Sequence, residues 1–207
     1  MSIKLNRRLL PVVGLTALLL GGCSMNPSYP PAPTTQKPFD WTYLIGPGDS
    51  VQVFVWRNPD LSGTYPVRPD GKMTMNLVED MPAAGKTPSQ LARDLEKTLS
   101  KYIQDPIVTV IVAGGVGPYS QQIRVIGQAA KPQALNYREG MSLIDVMIDV
   151  GGLTDYAAGN QAYILRKVHG KEERLGVKLD GLLNGGDIND NVPMKPGDIL
   201  VIPQSLF

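Results

Sequence analysis

Gly46-Pro47-Gly48-Asp49 runs straight into Ser50-Val51-Gln52-Val53-Phe54-Val55-Trp56, and near the other end of the chain Lys195-Pro196-Gly197-Asp198 runs into Ile199-Leu200-Val201-Ile202. In each, proline pre-sets the first central position of a type II turn and glycine supplies the positive φ of the second, so the turn delivers the chain into a strand. Val51, Val53 and Val55 alternate with Gln52, Phe54 and Trp56, the period of two that marks a β-strand. A shared turn solution explains the recurrence more simply than a duplicated domain. Gly46, Pro47, Gly48, Asp49, Pro196, Gly197 and Asp198 are therefore assigned a structural role.

Working outward from the first turn, Tyr65 to Arg68 and Met73 to Leu77 flank Pro69-Asp70-Gly71-Lys72, a hairpin signal. From Pro88 the apolar positions become Leu91, Leu95, Leu99, Tyr102 and Ile103, which share one face of a helix. Thr87 is its cap, Pro88 its first residue, and Asp105-Pro106 its stop. Ile107 to Val112 reads as the next strand. Gly114-Gly115-Val116-Gly117-Pro118 is the joint between two units; it lacks the lysine and the spacing of a phosphate loop.

Beyond the joint, Gln122 to Gly127 reads as a strand. Met141 to Val150 is a short helix with Leu143, Met147 and Val150 on one face, Ser142 as cap and Gly151-Gly152 as stop. Ala162 to Val168 and Glu173 to Leu179 pair around a charged tip, Leu179 to Leu183 makes one helical turn, and Ile199 to Ile202 closes the chain. The expected fold class is α+β, with two small mixed domains at residues 41–117 and 118–207.

The first forty residues follow another plan. Lys4, Arg7 and Arg8 precede an apolar run from Leu9 to Leu20, which is shorter than the roughly 20 residues needed to span a bilayer as a helix. That is the layout of a secretory signal peptide, residues 1–22. Leu20-Gly21-Gly22-Cys23 resembles the lipobox of bacterial lipoproteins, which implies cleavage before Cys23, lipidation of its thiol with palmitate among the chains, and stable attachment without a transmembrane helix. Ser24 at the second mature position implies the outer membrane of a Gram-negative cell. Residues 23–40 are proline-rich and read as an extended tether.

The 207 residues hold 20 Lys and Arg against 19 Asp and Glu, and loss of Lys4, Arg7 and Arg8 with the leader turns the balance slightly acidic. No basic footprint for nucleic acid exists. With one cysteine and one histidine, Cys23 and His169, neither an intrachain disulfide nor a usual zinc site can form, and no metal or cofactor is expected. His169 falls at the charged hairpin tip without a nucleophile elbow to serve. Asp70, Glu79, Asp80, Asp145, Asp149 and Asp155 are the carboxylates that could meet as a glycosidase pair. Asp70 has a turn role, and Asp145 with Asp149 reads more plainly as a solvated helix face. An enzyme is not expected.

Taken together, Tyr43-Leu44-Ile45-Gly46-Pro47-Gly48-Asp49, Leu61 to Gly71, and the helix from Pro88 leading through Tyr102-Ile103-Gln104-Asp105-Pro106 into a valine-rich strand resemble the polysaccharide export family, the Wza-like outer-membrane lipoproteins of Gram-negative bacteria. Val125-Ile126-Gly127 with Pro132, the helix from Ser142 ending in Gly151-Gly152-Leu153-Thr154, and the closing Pro-Gly-Asp strand are similar to that family's soluble-ligand-binding β-grasp (SLBB) domain. The resemblance covers nearly everything after residue 40.

It implies a subunit of a homo-oligomeric ring, octamer-like, that conducts capsular or exopolysaccharide from the periplasm to the exterior. It also implies contact with an inner-membrane polysaccharide co-polymerase. Longer family members carry a terminal amphipathic helix that crosses the outer membrane, whereas only Pro203 to Phe207 follow the last strand here. That departure leads to the expectation of a periplasm-facing protein served by a separate outer-membrane β-barrel. The competing expectation is a monomeric carbohydrate-binding or adaptor lipoprotein.

Overall fold

A computed structural model of the chain describes residues 29–35, 41–168 and 170–205. The leader, Cys23, the tether residues 24–28 and 36–40, His169, Leu206 and Phe207 lie outside the described residues.

The first unit contains β1 (Ser50–Val55), β2 (Gly63–Pro66), β3 (Lys72–Met75), β4 (Val78–Pro82), α1 (Pro88–Leu99) and β5 (Val108–Gly114). β1 is the centre of an antiparallel three-stranded sheet, order β2-β1-β5. Its alternation turns Val51, Val53 and Val55 inward, where they share a core with Leu91, Leu95 and Leu99 of α1. Those leucines fall on one stripe because positions four apart stack along a helix. Burying each contributes about 1.5–3 kcal/mol. Thr87 and Gln90 close the start of α1 reciprocally: Thr87 Oγ1 accepts the Gln90 N–H at 3.1 Å and Gln90 Oε1 accepts the Thr87 N–H at 2.9 Å.

Two expectations need correction here. The helix expected to run to Ile103 stops at Leu99. Ser100 occupies the C-cap with its Oγ bonded to the Lys97 carbonyl at 2.8 Å, and the N–H groups of both Tyr102 and Ile103 fold back onto Leu99 O. A serine that bonds its own turn competes with further helix, so Tyr102 projects into solvent although its spacing fitted the stripe. The hairpin expected between Tyr65–Arg68 and Met73–Leu77 exists as a turn and not as a ladder. Arg68 N–H reaches Lys72 O at 2.8 Å, but β2 pairs with β1 while β3 pairs with β4 in a separate ribbon. β4 escapes a period-two reading because the register shifts between Met73 and Met75, leaving Val78 and Met81, three apart, both buried.

The second unit contains β6 (Ile123–Gly127), β7 (Ala134–Leu135), α2 (Leu143–Asp149), β8 (Tyr163–Val168), β9 (Lys171–Gly176), α3 (Leu179–Leu183) and β10 (Ile199–Ile202). They form a five-stranded sheet in the order β7-β6-β10-β8-β9. The closing strand β10 enters between β6, which it meets in parallel, and β8, which it meets antiparallel. Counted from β6, the order is second, first, fifth, third, fourth, the β-grasp arrangement. Leu143, Val146 and Met147 of α2 pack into one core with Ile123, Ile164 and Leu200. The architecture is α+β, with a three-stranded sheet, a five-stranded sheet, the β3-β4 ribbon and two cores among the described residues.

Part of the proline-rich stretch read as a tether is seated on this second sheet. Ala32 N–H bonds Gly176 O at 3.0 Å and Gly176 N–H bonds Pro30 O at 2.7 Å, so the segment lies parallel along the free edge of β9. Ala32 joins the second core. The Tyr29 ring rests 4.8 Å from that of Tyr163, with the Arg174 guanidinium over both. Proline suits an outermost strand because it has no N–H to offer a further neighbour.

Candidate functional site

The two Pro-Gly-Asp turns hold buried carboxylates. In the first, Gly48 stands at φ 90 and the Asp49 N–H returns to Gly46 O at 3.2 Å. Asp49 is wholly buried. Its Oδ2 accepts the Gly46 N–H at 2.8 Å and the Tyr43 hydroxyl, while Oδ1 accepts the N–H groups of Val116 at 2.8 Å and Gly117 at 3.0 Å. Burial, and then Asp49, push the Tyr43 hydroxyl well above the ordinary tyrosine range, so it remains a donor. A carboxylate with four donors around it has no free lone-pair direction for acid–base work.

In the second turn Gly197 stands at φ 87 and the Asp198 N–H returns to Lys195 O at 3.1 Å. Asp198 accepts the Lys195 N–H at 2.8 Å and both arms of Arg166, Nε at 2.9 Å and Nη2 at 2.6 Å. Arg166 also donates to Pro193 O at 3.1 Å. Both members of this pair are almost fully buried.

The glycine-rich joint lies between these turns and is clamped from both sides. Besides the two bonds from Asp49, a Cβ on Gly46 would fall 2.2 Å from the Gly117 carbonyl carbon, and one on Gly197 would fall 2.7 Å from Ser120 O. Gln121 accepts the Leu44 N–H at 3.4 Å and donates to Thr42 O at 3.3 Å. Asn136, from the second unit, donates to Gly115 O at 2.9 Å. Trp41 packs edge-on to Tyr137 with ring centroids 5.2 Å apart.

The six carboxylates considered for acid–base chemistry do not assemble a catalytic pair. Arg68 sits between Asp70 and Asp80, all three at the surface. It holds the Asp70 carboxyl down to about 2, the reverse of what a general acid needs. Asp145 caps α2, accepting the Ser142 N–H at 2.8 Å and hydroxyl at 2.6 Å. Glu79, Asp149 and Asp155 are exposed. Among the described residues no cluster of His, Cys, Asp and Glu could hold a metal ion, and no helix is long and apolar enough to cross a membrane.

The largest anomaly is on the outer face of the first sheet. Phe54 and Trp56 point outward from β1, 47% and 53% exposed, with ring centroids 6.3 Å apart. The ladder sets Gln52 beside Ile111 and Phe54 beside Thr109, and the Trp56 N–H bond to Ile107 O at 2.9 Å places Trp56 beside Ile107. Ile107 and Ile111 are 59% and 51% exposed. Four large apolar side chains thus form a strip on a face that nothing in the chain covers among the described residues. Strips of this kind mark interaction surfaces.

Residues 37–113 match the polysaccharide biosynthesis/export protein family. The chain is 24% identical over 187 residues to the EPS I polysaccharide export outer membrane protein EpsA of Ralstonia nicotianae, covering 78% of this chain and 47% of that protein. It is 28% identical over 148 residues to the polysialic acid transport protein KpsD of Escherichia coli, covering 71% of this chain and 26% of that protein. The chain therefore spans about half the length of EpsA and about a quarter of KpsD. The kinship is to export proteins and not to enzymes. Over residues 37–113, which hold β1, α1 and β5, this chain is similar to the polysaccharide biosynthesis/export family.

Proposed function

We propose that this chain is a lipid-anchored subunit of a homo-oligomeric ring that conducts capsular or exopolysaccharide out of the periplasm across the outer membrane, working by geometry and without catalysis. The family match and the names of the two relatives support the cargo and the membrane. The observation that carries the ring is the outward strip of Phe54, Trp56, Ile107 and Ile111, a face too apolar to be left in water. Copies arranged head to tail bury such a face once per subunit, and a closed rotation leaves none exposed. The anchor in this reading is the lipid on Cys23, and the ring sits on the periplasmic face of the outer membrane. The second unit acts as an SLBB β-grasp domain. Further partners are the inner-membrane co-polymerase and, where the ring alone gives no conductance in planar bilayers, a separate outer-membrane β-barrel.

Native mass spectrometry of the lipidated protein in mild detergent tests this. A closed oligomer that falls to monomer in a Phe54→Asp/Trp56→Asp double variant, together with loss of exported polymer from cells, is the expected result. A wild-type monomer that still supports export would replace the ring with a carbohydrate-binding or adaptor role.

A further inference from the structure

A cleft of about 280 Å³ opens where the 29–35 segment crosses the second sheet. Tyr29 and Pro31 of that segment form one wall, and the buried Val192 contributes an apolar floor. Asn160, Gln161, Lys178 and Asp190 stand around the opening. Their side-chain amides, ammonium and carboxylate have no hydrogen-bond or ion-pair partner among the described residues.

From this we infer that the cleft is a binding subsite for one neutral sugar unit, and that occupancy and docking of the N-terminal segment reinforce each other. The identification rests on the chemistry of the walls. One cation and one carboxylate cancel, which removes any preference for a net charge. Two amides supply both donors and acceptors, as a ring of hydroxyls requires. The phenol, the proline and the valine offer apolar surface to the C–H faces of such a ring. A hydrocarbon would satisfy none of the four polar groups, and an anionic sugar would have to shed water from its carboxylate with no net attraction to offset that cost. The choice of a saccharide over another neutral polyol rests on the export reading above; the existence of the cleft and its coupling to the segment do not.

The coupling follows from where the wall comes from. The segment is held by two backbone hydrogen bonds to Gly176, by Ala32 in the core and by Tyr29 on Tyr163. A ligand that touches Tyr29 and Pro31 binds the docked form better than the undocked one, so it shifts that equilibrium. Only the chain from Cys23 to Tyr29 separates the anchor from this contact, a reach of about 20 Å when fully extended. A filled cleft therefore keeps the second unit near the lipid-bearing leaflet, and an empty one lets it move away.

Hydrogen–deuterium exchange on full-length lipidated protein in detergent reads both claims, with D-glucose, D-galactose and N-acetyl-D-glucosamine as neutral probes, D-glucuronate as the acidic one and glycerol as a non-sugar polyol. At a probe concentration ten times its Kd, exchange in peptides spanning 29–35 and 171–178 slows about tenfold, while peptides from β1 and α1 do not change. Asp190→Ala and, separately, Gln161→Ala abolish that slowing without altering the oligomer mass, so a misfolded variant of one is checked by the other. Tyr29→Ala weakens probe binding although it removes none of the four polar groups. The inference is overturned if no neutral sugar slows either peptide at 100-millimolar order, if glucuronate or glycerol does so equally well, or if both variants retain the effect. Loss of the ring in native mass spectra with the slowing intact would count against the export ring and leave the subsite standing.

Discussion

Asp49 and Asp198 close the same Pro-Gly-Asp turn, both are buried, and both accept the backbone N–H three residues earlier. Their remaining partners differ in kind. Asp49 faces backbone N–H groups of the joint and a tyrosine hydroxyl, whereas Asp198 faces a guanidinium from β8. The shared tripeptide dictates the turn and the burial of its last residue. What the carboxylate then binds depends on which distant segment the fold delivers, so one corner ties the start of the first unit to the joint at its end and the other ties two strands of one sheet.

That contrast breaks first at Asp198. Asp198→Ala leaves Arg166 buried and uncompensated, which costs about 3–5 kcal/mol, and thermal or urea unfolding of the variant measures it. Adding Arg166→Met, an apolar residue of similar length, restores most of the loss because the stranded charge goes with the arginine. Failure of that rescue would mean the pair matters for something other than charge balance. Asp49→Ala should cost somewhat less, about 2–4 kcal/mol, since its donors are neutral amides and a hydroxyl, some of which water can reach once the carboxylate is gone. No single second substitution rescues it, because backbone amides cannot be mutated away.

The glycines sharpen the comparison on a smaller scale. Gly48 and Gly197 both need positive φ, so alanine at either costs about 1–3 kcal/mol. The nearest obstacle to a Cβ at Gly48 is a Val116 methyl carbon at 3.3 Å, while at Gly197 it is the Ser120 carbonyl oxygen at 2.7 Å. Gly197→Ala therefore falls at the upper end of the range and Gly48→Ala at the lower, and equal melting temperatures for the two would refute the ordering.

These corners also show what the sequence could and could not reveal. Turn chemistry and period-two alternation are local, and they locate β1, β5, β6, β8, β9 and β10 to within a few residues. Pairing is not local. Gly71 makes a good turn, yet β2 goes to β1, because β1 offers it a full four-residue register. α1 begins where its capping residues say and ends at Ser100, where side-chain bonding to Lys97 outcompetes a stripe that continued on paper. Phe54 and Trp56 were visible as the outward half of β1's alternation. A strand apolar on both faces is a signal that something covers the outer one, and that signal is local to the sequence. The roles of Asp49 and Asp198 beyond the turn were not, since Val116, Gly117 and Arg166 are far away in sequence. The same holds for the seat of residues 29–35 on β9, which composition alone renders as an extended tether.

The smallest expected effect separates the two helix starts in the same way. α1 is closed by Thr87 and Gln90, both uncharged at any ordinary pH, and α2 by Ser142 and Asp145, one of which ionises. The Ser142 hydroxyl, and then its N–H, hold the Asp145 carboxyl below its ordinary range. A carboxyl depressed in the folded state contributes stability above its unfolded value of about 3.9 and loses that contribution as pH falls through the folded value. Asp145 is exposed, so solvent screens it and the contribution is about 0.5 kcal/mol, the low end of a capping interaction. Unfolding free energies measured from pH 7 down to pH 2.5 should show wild type losing that much more than Asp145→Asn, with the two curves converging at the acid end. Gln90→Glu should acquire a similar acid-sensitive increment at α1, because a carboxylate then accepts the Thr87 N–H where an amide did. Parallel curves for wild type and Asp145→Asn across this range would show that the α2 cap works through its shape alone and that the two helix starts are physically equivalent.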